Sequence, residues 1–164
     1  MTEAWTQPEL DLDGVSSPVA VVPVARDESD LHAPAYEHSD DAGADLRSSE
    51  DLVLAPGERR LVHTGIHVHL DSSMLAWVTP RSGLAARHGI TITNSPGLID
   101  PGYRGEIQVC LQNTGSEPFT ITRGDRIAQI VFQKFVHADF KVVGSVDDLG
   151  STTRGNDGFG STGR

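Results

Sequence analysis

Gly89-Ile90-Thr91-Ile92-Thr93-Asn94-Ser95-Pro96-Gly97-Leu98-Ile99-Asp100-Pro101-Gly102-Tyr103-Arg104-Gly105-Glu106-Ile107-Gln108-Val109-Cys110-Leu111 is the stretch whose reading decides the fold. Gly89 to Thr93 alternates apolar and polar residues as a half-buried strand does, and Glu106 to Leu111 repeats the pattern. Between them stand Pro96-Gly97 and Pro101-Gly102, two strong turn signals. The stretch therefore predicts a β-hairpin with a structured tip. That tip carries one carboxylate, Asp100, and one aromatic ring, Tyr103. An acid and a flat ring on a rigid turn make a candidate pocket. Asp-Pro-Gly also suits an ordinary Asx-type turn, so the hairpin alone leaves both readings open.

Composition agrees with short strands and many turns. The chain has 164 residues, enough for one domain with a real core, and includes 17 Gly and 9 Pro. With no long helical pattern, this favours an all-β barrel or jelly roll. The single Cys110 rules out an internal disulfide and a cysteine zinc site. A net charge of −10 argues against a nucleic-acid-binding surface, though not against an anionic small molecule in a local cleft. There is no apolar run long enough for a membrane span and no signal-peptide pattern, so a cytoplasmic location is expected.

Residues 1–18 are polar and acidic and read as a flexible extension, with Trp5 its one large apolar residue. Val19 to Val24 reads as a first strand, at an edge because of Pro23. Asp41-Ala42-Gly43-Ala44-Asp45-Leu46 combines small residues with two carboxylates, so backbone can approach a ligand closely there, although turn caps would use the same residues. Leu52–Leu54 and Arg60–Val62 flank the turn Ala55-Pro56-Gly57-Glu58. In the alternating strand Gly65 to Leu70, His67 and His69 share a face; with no third ligand near, two exposed strand histidines are expected rather than a metal pair.

Met74 to Thr79 reads as a strand running into Pro80-Arg81-Ser82-Gly83-Leu84-Ala85-Ala86-Arg87-His88-Gly89. This segment predicts a short helix with Ser82 near its N-cap. Arginine, hydroxyl and helix-start N–H groups together would cradle an oxyanion; a plain cap with a solvated Arg81 is the alternative. Arg123-Gly124-Asp125-Arg126 turns into an apolar strand ending near Phe132, where Asp125 and Arg126 could pair. Asp139 to Val143 reads as a last strand. Residues 150–164 are Gly-rich, as a solvated tail or as a mobile arm over phosphates and a base.

Taken in order, Asp41–Leu46, Pro80–Gly89, Asn94–Glu106, Arg123–Gln129 and Arg154–Gly163 resemble the five motifs of the trimeric dUTPase family. The resemblance covers roughly residues 19–164. It implies a distorted jelly-roll β-barrel over residues 19–149 with one short helix, and a C-terminal arm over residues 150–164 that closes on the site. It implies a homotrimer with active sites shared between subunits, and hydrolysis of dUTP to dUMP and pyrophosphate by water attack on the α-phosphorus. Such an activity limits uracil incorporation into DNA and supplies dUMP for dTMP synthesis.

By the same resemblance Asp100 is the catalytic base. Mg²⁺ would be held mainly by the triphosphate, with Asp45 an outer-sphere carboxylate. Arg81, Ser82 and Gly83 would bind phosphates, and Arg154 would reach the γ-phosphate, with Gly160 and Ser161 in close contact. Asn94, Leu98, Ile99 and Gln108 would recognise uracil chiefly through backbone, rejecting the thymine methyl and the hydrogen-bond pattern of cytosine. Tyr103 would pack on the deoxyribose and Phe159 would stack on the base. Asn156-Asp157 makes the arm more acidic than in some relatives. The dCTP deaminase branch shares the Asp-Pro-Gly hairpin but places a Glu on the following strand, where this chain has Cys110. A regulatory scaffold that had lost catalysis would not need Asp100, Ser82 and Arg154, all of which are present.

Overall fold

The computed structural model describes residues 20–156. The chain forms eleven strands and one α-helix among these residues: β1 (Val24–Arg26), β2 (Ala44–Arg47), β3 (Leu52–Leu54), β4 (Arg59–Val62), β5 (Ile66–Val68), β6 (Met74–Thr79), α1 (Ser82–His88), β7 (Ile90–Ile92), β8 (Gly97–Ile99), β9 (Val109–Asn113), β10 (Phe119–Ile121) and β11 (Arg126–Lys134). A 3-10 turn follows at Val146–Leu149. All the strand pairs are antiparallel. They make a four-stranded sheet in the order β2-β11-β6-β8, a three-stranded sheet β4-β9-β7, and the pairs β1-β5 and β3-β10.

Strict period-two burial drives this arrangement. In β6, Met74, Ala76 and Val78 point inward while Leu75, Trp77 and Thr79 lie nearer the surface. β9 buries Val109, Leu111 and Asn113 in the same way. The inward rows meet Leu46, Leu54, Ile66, Ile90, Ile107, Ile121, Ile127 and Ile130 in one continuous core. Asn113 is polar yet fully buried, and its amide donates to the carbonyls of Leu54 and Glu117, so its burial is compensated.

The predicted hairpin forms, with a more elaborate tip than a turn. β7 and β9 pair with Ile90 opposite Asn113 and Ile92 opposite Leu111. Between them the chain crosses to the other sheet as β8 and pairs with β6, Leu98 opposite Trp77. The hairpin therefore stitches the two larger sheets together and places Asp100 just beyond β8. Glu106 to Gln108, expected within the second strand, stay outside β9, because the Glu106 carboxylate is spent on backbone N–H groups elsewhere.

Three other expectations are corrected, and the helix start, with Ser82 next to the N-cap as expected, is made specific. The first strand lies at Val24–Arg26 rather than ending at Val24; Pro23 precedes it, and its carbonyl accepts the His69 N–H. Ser82 is the first helical residue, and the cap position belongs to Arg81, with no side-chain capping bond. Asp125 does not pair with Arg126: its carboxylate accepts the Thr122 N–H, and Arg126 reaches Glu37 and Asp45 instead. Asp139–Val143 is no strand, and Phe140 and Val142 stand 89% and 93% exposed.

Gly89 ends α1 in the left-handed region at φ 68°, and a Cβ there would lie 2.7 Å from the Gly115 nitrogen. Strain and a backbone collision act together. Gly89→Ala is expected to cost about 2 kcal/mol or more, lowering Tm by several degrees in a thermal melt.

Candidate active site

Two cavities gather most of the predicted site residues, and they share no lining residue. The first, of about 560 Å³, lies where β2, β11 and the start of α1 converge, lined by Asp41, Gly43, Asp45, Arg81, Ser82 and Gly83 among others. Register brings Asp45 opposite Gln129 on β11, and Gln129 in turn pairs with Thr79 at the end of β6. Gly43 packs so tightly that a Cβ would lie 2.9 Å from the Gln129 side-chain oxygen. The close approach at Gly43 is thus to the Gln129 side chain of the same chain.

Asp45 sits between two cations. Its Oδ1 accepts Arg81 Nε at 2.9 Å, and its Oδ2 accepts Arg126 Nη1 at 3.1 Å. Arg126 Nη1 also meets Glu37 at 2.7 Å. Arg81 has further guanidinium N–H groups for a ligand, and one makes only a long 3.4 Å contact with the Arg126 carbonyl. Leu84 and Ala85 N–H groups donate to the Arg81 carbonyl. Ser82 and Gly83 have no carbonyl four residues back within the helix, so their N–H groups remain donors for an anion. The cavity is thus a charge-balanced cradle with acidic and basic walls.

The second cavity, of about 270 Å³, lies under the hairpin tip, lined by Leu61, Leu98, Ile99, Asp100, Tyr103, Glu106 and Gln108. The Tyr103 N–H donates to the Asp100 carbonyl, closing the turn and leaving the Asp100 carboxylate exposed. Tyr103 Oη donates to the Glu106 carbonyl at 2.8 Å. Asn94 lines neither cavity, although its amide approaches Gly97 in the crossing to β8. Arg154 is exposed. Phe159, Gly160 and Ser161 lie outside the described residues.

The matching family model is that of the dUTPase family, over residues 29–163. The chain belongs to the dUTPase family. It is 54% identical over 143 residues to the deoxyuridine 5′-triphosphate nucleotidohydrolase of Thermobifida fusca, covering 87% of this chain and 78% of that one. It is 50% identical over 147 residues to the enzyme of the same name from Corynebacterium glutamicum, covering 89% and 97%. The dUTPase of Staphylococcus bacteriophage 80alpha, solved with dUPNHPP, superposes with a TM-score of 0.81 at 25% identity, covering 89% of this chain and all of that one. The all-β, jelly-roll expectation holds for this dUTPase. Among its described residues no helix is long and apolar enough to cross a membrane.

Two parts of the site escaped the reading of the sequence. The pattern of Arg123 to Gln129 offers Arg126 a turn partner in Asp125 and gives no sign of Asp45; the bulge between Arg126 and Ala128 swings it toward Asp45. Strand alternation and the end of a motif both include Glu106 without giving its side chain a role, yet its carboxylate is the tip's main anchor. Oε1 accepts the Thr64 and Gly65 N–H groups at 2.9 and 2.7 Å, and Oε2 accepts His63 Nδ1 at 2.8 Å. Burial works to raise the Glu106 carboxyl pKa, but the Gly65, His63 and Thr64 donors outweigh it and hold the value below the usual range. His63 is correspondingly raised by its bond to Glu106 and that residue's charge. His67 is raised by donating to the Arg104 carbonyl at 2.9 Å, with Asp27 on its other nitrogen at 2.9 Å. His67 is therefore a strut to the hairpin tip, and no trio of metal-ligating side chains occurs among the described residues.

The two histidines give stability a definite pH slope. Their folded pKa values lie above the ordinary 6.5, so the folded protein holds more protons than the unfolded chain near neutrality. This contribution is complete below about pH 6.5 and is lost as pH rises through the folded values. Because solvent screens both sites, the loss should be about 1 kcal/mol or less. Urea unfolding at pH 6 and pH 8.5 should show it, and His63→Gln with His67→Gln should flatten the difference.

Proposed function

We propose that this dUTPase hydrolyses dUTP to dUMP and pyrophosphate, with the two cavities serving as halves of one site contributed by different subunits of a homotrimer. The observation that carries this reading is the separation itself. Phosphate-type groups (Arg81, Ser82, Gly83) and nucleoside-type groups (Asp100, Tyr103, Leu98, Ile99) occupy distinct cavities of one chain. A triphosphate and its nucleoside need both. The exposed segment after β11 supports assembly: Val136, Phe140 and Val142 are 89–93% exposed, and such a row of apolar side chains calls for a partner surface. A second copy is the natural candidate.

In this reading the deoxyuridine lies under the hairpin, with backbone around Asn94, Leu98, Ile99 and Gln108 facing uracil and Tyr103 against the sugar. Asp100 orients a water and takes its proton as the water attacks the α-phosphorus. Arg81, with the Ser82 hydroxyl and the Ser82 and Gly83 N–H groups, stabilises the charge that develops on the departing pyrophosphate. Residues 150–164 close over the site, bringing Arg154 to the γ-phosphate and Phe159 to the base, with Gly160 and Ser161 at the phosphates.

The donor set suits Mg²⁺ carried in by the nucleotide. Each Asp45 oxygen accepts one guanidinium bond and retains a lone pair for a metal-bound water, and three-ligand protein cages are absent among the described residues. A related dUTPase from phage phi11 of S. aureus is described with a coordinated structural Mg(II) ion. Bound Mg²⁺ would screen the triphosphate charge and fix its shape. Pyrophosphate release from dUTP, dCTP, dTTP and UTP with Mg²⁺ tests the reading: dUTP alone should be turned over. Comparable turnover of dCTP or dTTP would contradict it.

A further inference from the structure

Glu106 contacts both walls of the hairpin cavity at once. Its carbonyl accepts the Tyr103 hydroxyl at 2.8 Å, and its Oε2 accepts the Gln108 amide at 3.1 Å. The Tyr103 ring is pressed onto the chain here, since a Cβ on Gly105 would lie 2.5 Å from its hydroxyl oxygen. Beneath, Thr64 and Gly65 N–H groups grip Oε1, while the Ile107 N–H donates to the Ile66 carbonyl at 2.8 Å. Gln108 Nε2 lies 2.9 Å from His63 Nδ1 as well as 3.1 Å from Oε2, so amide, imidazole and carboxylate form one three-way cluster. The Gln108 side chain is thereby turned toward Glu106 and His63, which leaves its backbone for the base.

We propose that Glu106 is the positioning residue for the nucleoside wall of the site, and that the His63 proton sets how firmly its carboxylate is seated. The proposal rests on the reading that this cavity receives deoxyuridine. Charged groups around the clamp are Glu50, whose carboxylate accepts the His63 backbone N–H, Asp27 and His67 beside it, and Arg104 at the tip. The acids favour the proton on His63. Loss of that proton removes the positive charge facing the carboxylate: the neutral ring keeps one N–H, so Nδ1 either donates to Oε2 as a neutral group or gives up that bond and accepts from the Gln108 amide. In both tautomers Oε2 is held less firmly than by the charged ring, which loosens Glu106 and, through its backbone, Tyr103.

Steady-state kinetics of the full-length protein on Mg-dUTP test this with Glu106→Ala, Glu106→Gln and His63→Gln. A bond to a charged group outweighs a neutral one, so Glu106→Ala should raise KM about tenfold while kcat falls less than about threefold. Glu106→Gln retains an oxygen for Thr64 and Gly65 and should recover about half of that loss on a logarithmic scale. Between pH 6 and 8.5 the wild-type KM should rise about threefold more than that of His63→Gln, whose profile keeps the substrate's own titration. If Glu106→Ala cannot be purified folded, Glu106→Gln and His63→Gln carry the test. An unchanged KM in the Glu106 variants, or equal losses in kcat and KM that track Tm and are not rescued by Gln, would overturn the positioning role. Superimposable pH profiles would overturn the role of His63. A wild-type protein inactive on dUTP would instead remove the underlying reading.

Discussion

Asp100→Asn should lower kcat for dUTP hydrolysis by about 10³-fold while leaving nucleotide affinity nearly intact. A general base contributes roughly 10²- to 10⁴-fold, and the amide keeps the shape of the carboxylate while losing its ability to take a proton. The turn itself should survive, because it is closed by the Asp100 carbonyl and the Tyr103 N–H rather than by the side chain. Single-turnover hydrolysis, with calorimetric binding of an imido-bridged dUTP analogue, separates the two effects. A variant that binds normally and does not turn over fits the assignment. Near wild-type turnover would place the base elsewhere.

A second large effect is expected from the segment after β11. Replacing Val136, Phe140 and Val142 with Ser removes apolar side chains that are 89–93% exposed in the single chain. Burial of each against a neighbour is worth about 1.5–3 kcal/mol, so the three together contribute about 4.5–9 kcal/mol per segment, repeated around a closed ring. The wild-type chain, 17.6 kDa, should scatter light as a species of about 53 kDa. The triple variant should shift toward the monomer at micromolar concentration and lose activity in parallel. An unchanged trimer would show that these side chains are not part of the interface.

The fold was legible because its burial rows follow period two so cleanly: Met74, Ala76 and Val78 in β6, and Val109 and Leu111 in β9, lie where alternation puts them. Asp139 to Val143 misled for the same reason. Its alternation is that of a strand, but among the described residues it has no pairing strand, since a strand needs a neighbour that local pattern cannot supply. In the site, Asp45, Arg81 and Ser82 were legible through their motifs and do meet in one cavity. Glu37 and Arg126 were not, because a bulge and a long loop decide where those charges fall. Glu106 was similarly hidden: four donors converge on it from two separate stretches, Thr64 and Gly65 with His63 on one side and Gln108 on the other.

The most direct test of a site divided between subunits is complementation. Arg81→Ala and Asp100→Asn chains, each nearly inactive alone, are unfolded together, refolded at equal ratio and assayed on dUTP. If the phosphate and hairpin halves come from different chains, random trimers restore about one site in four, and activity should return to about a quarter of wild type. Activity no greater than the mean of the two parents, in trimers shown to have mixed, would place both halves in one chain and contradict the account.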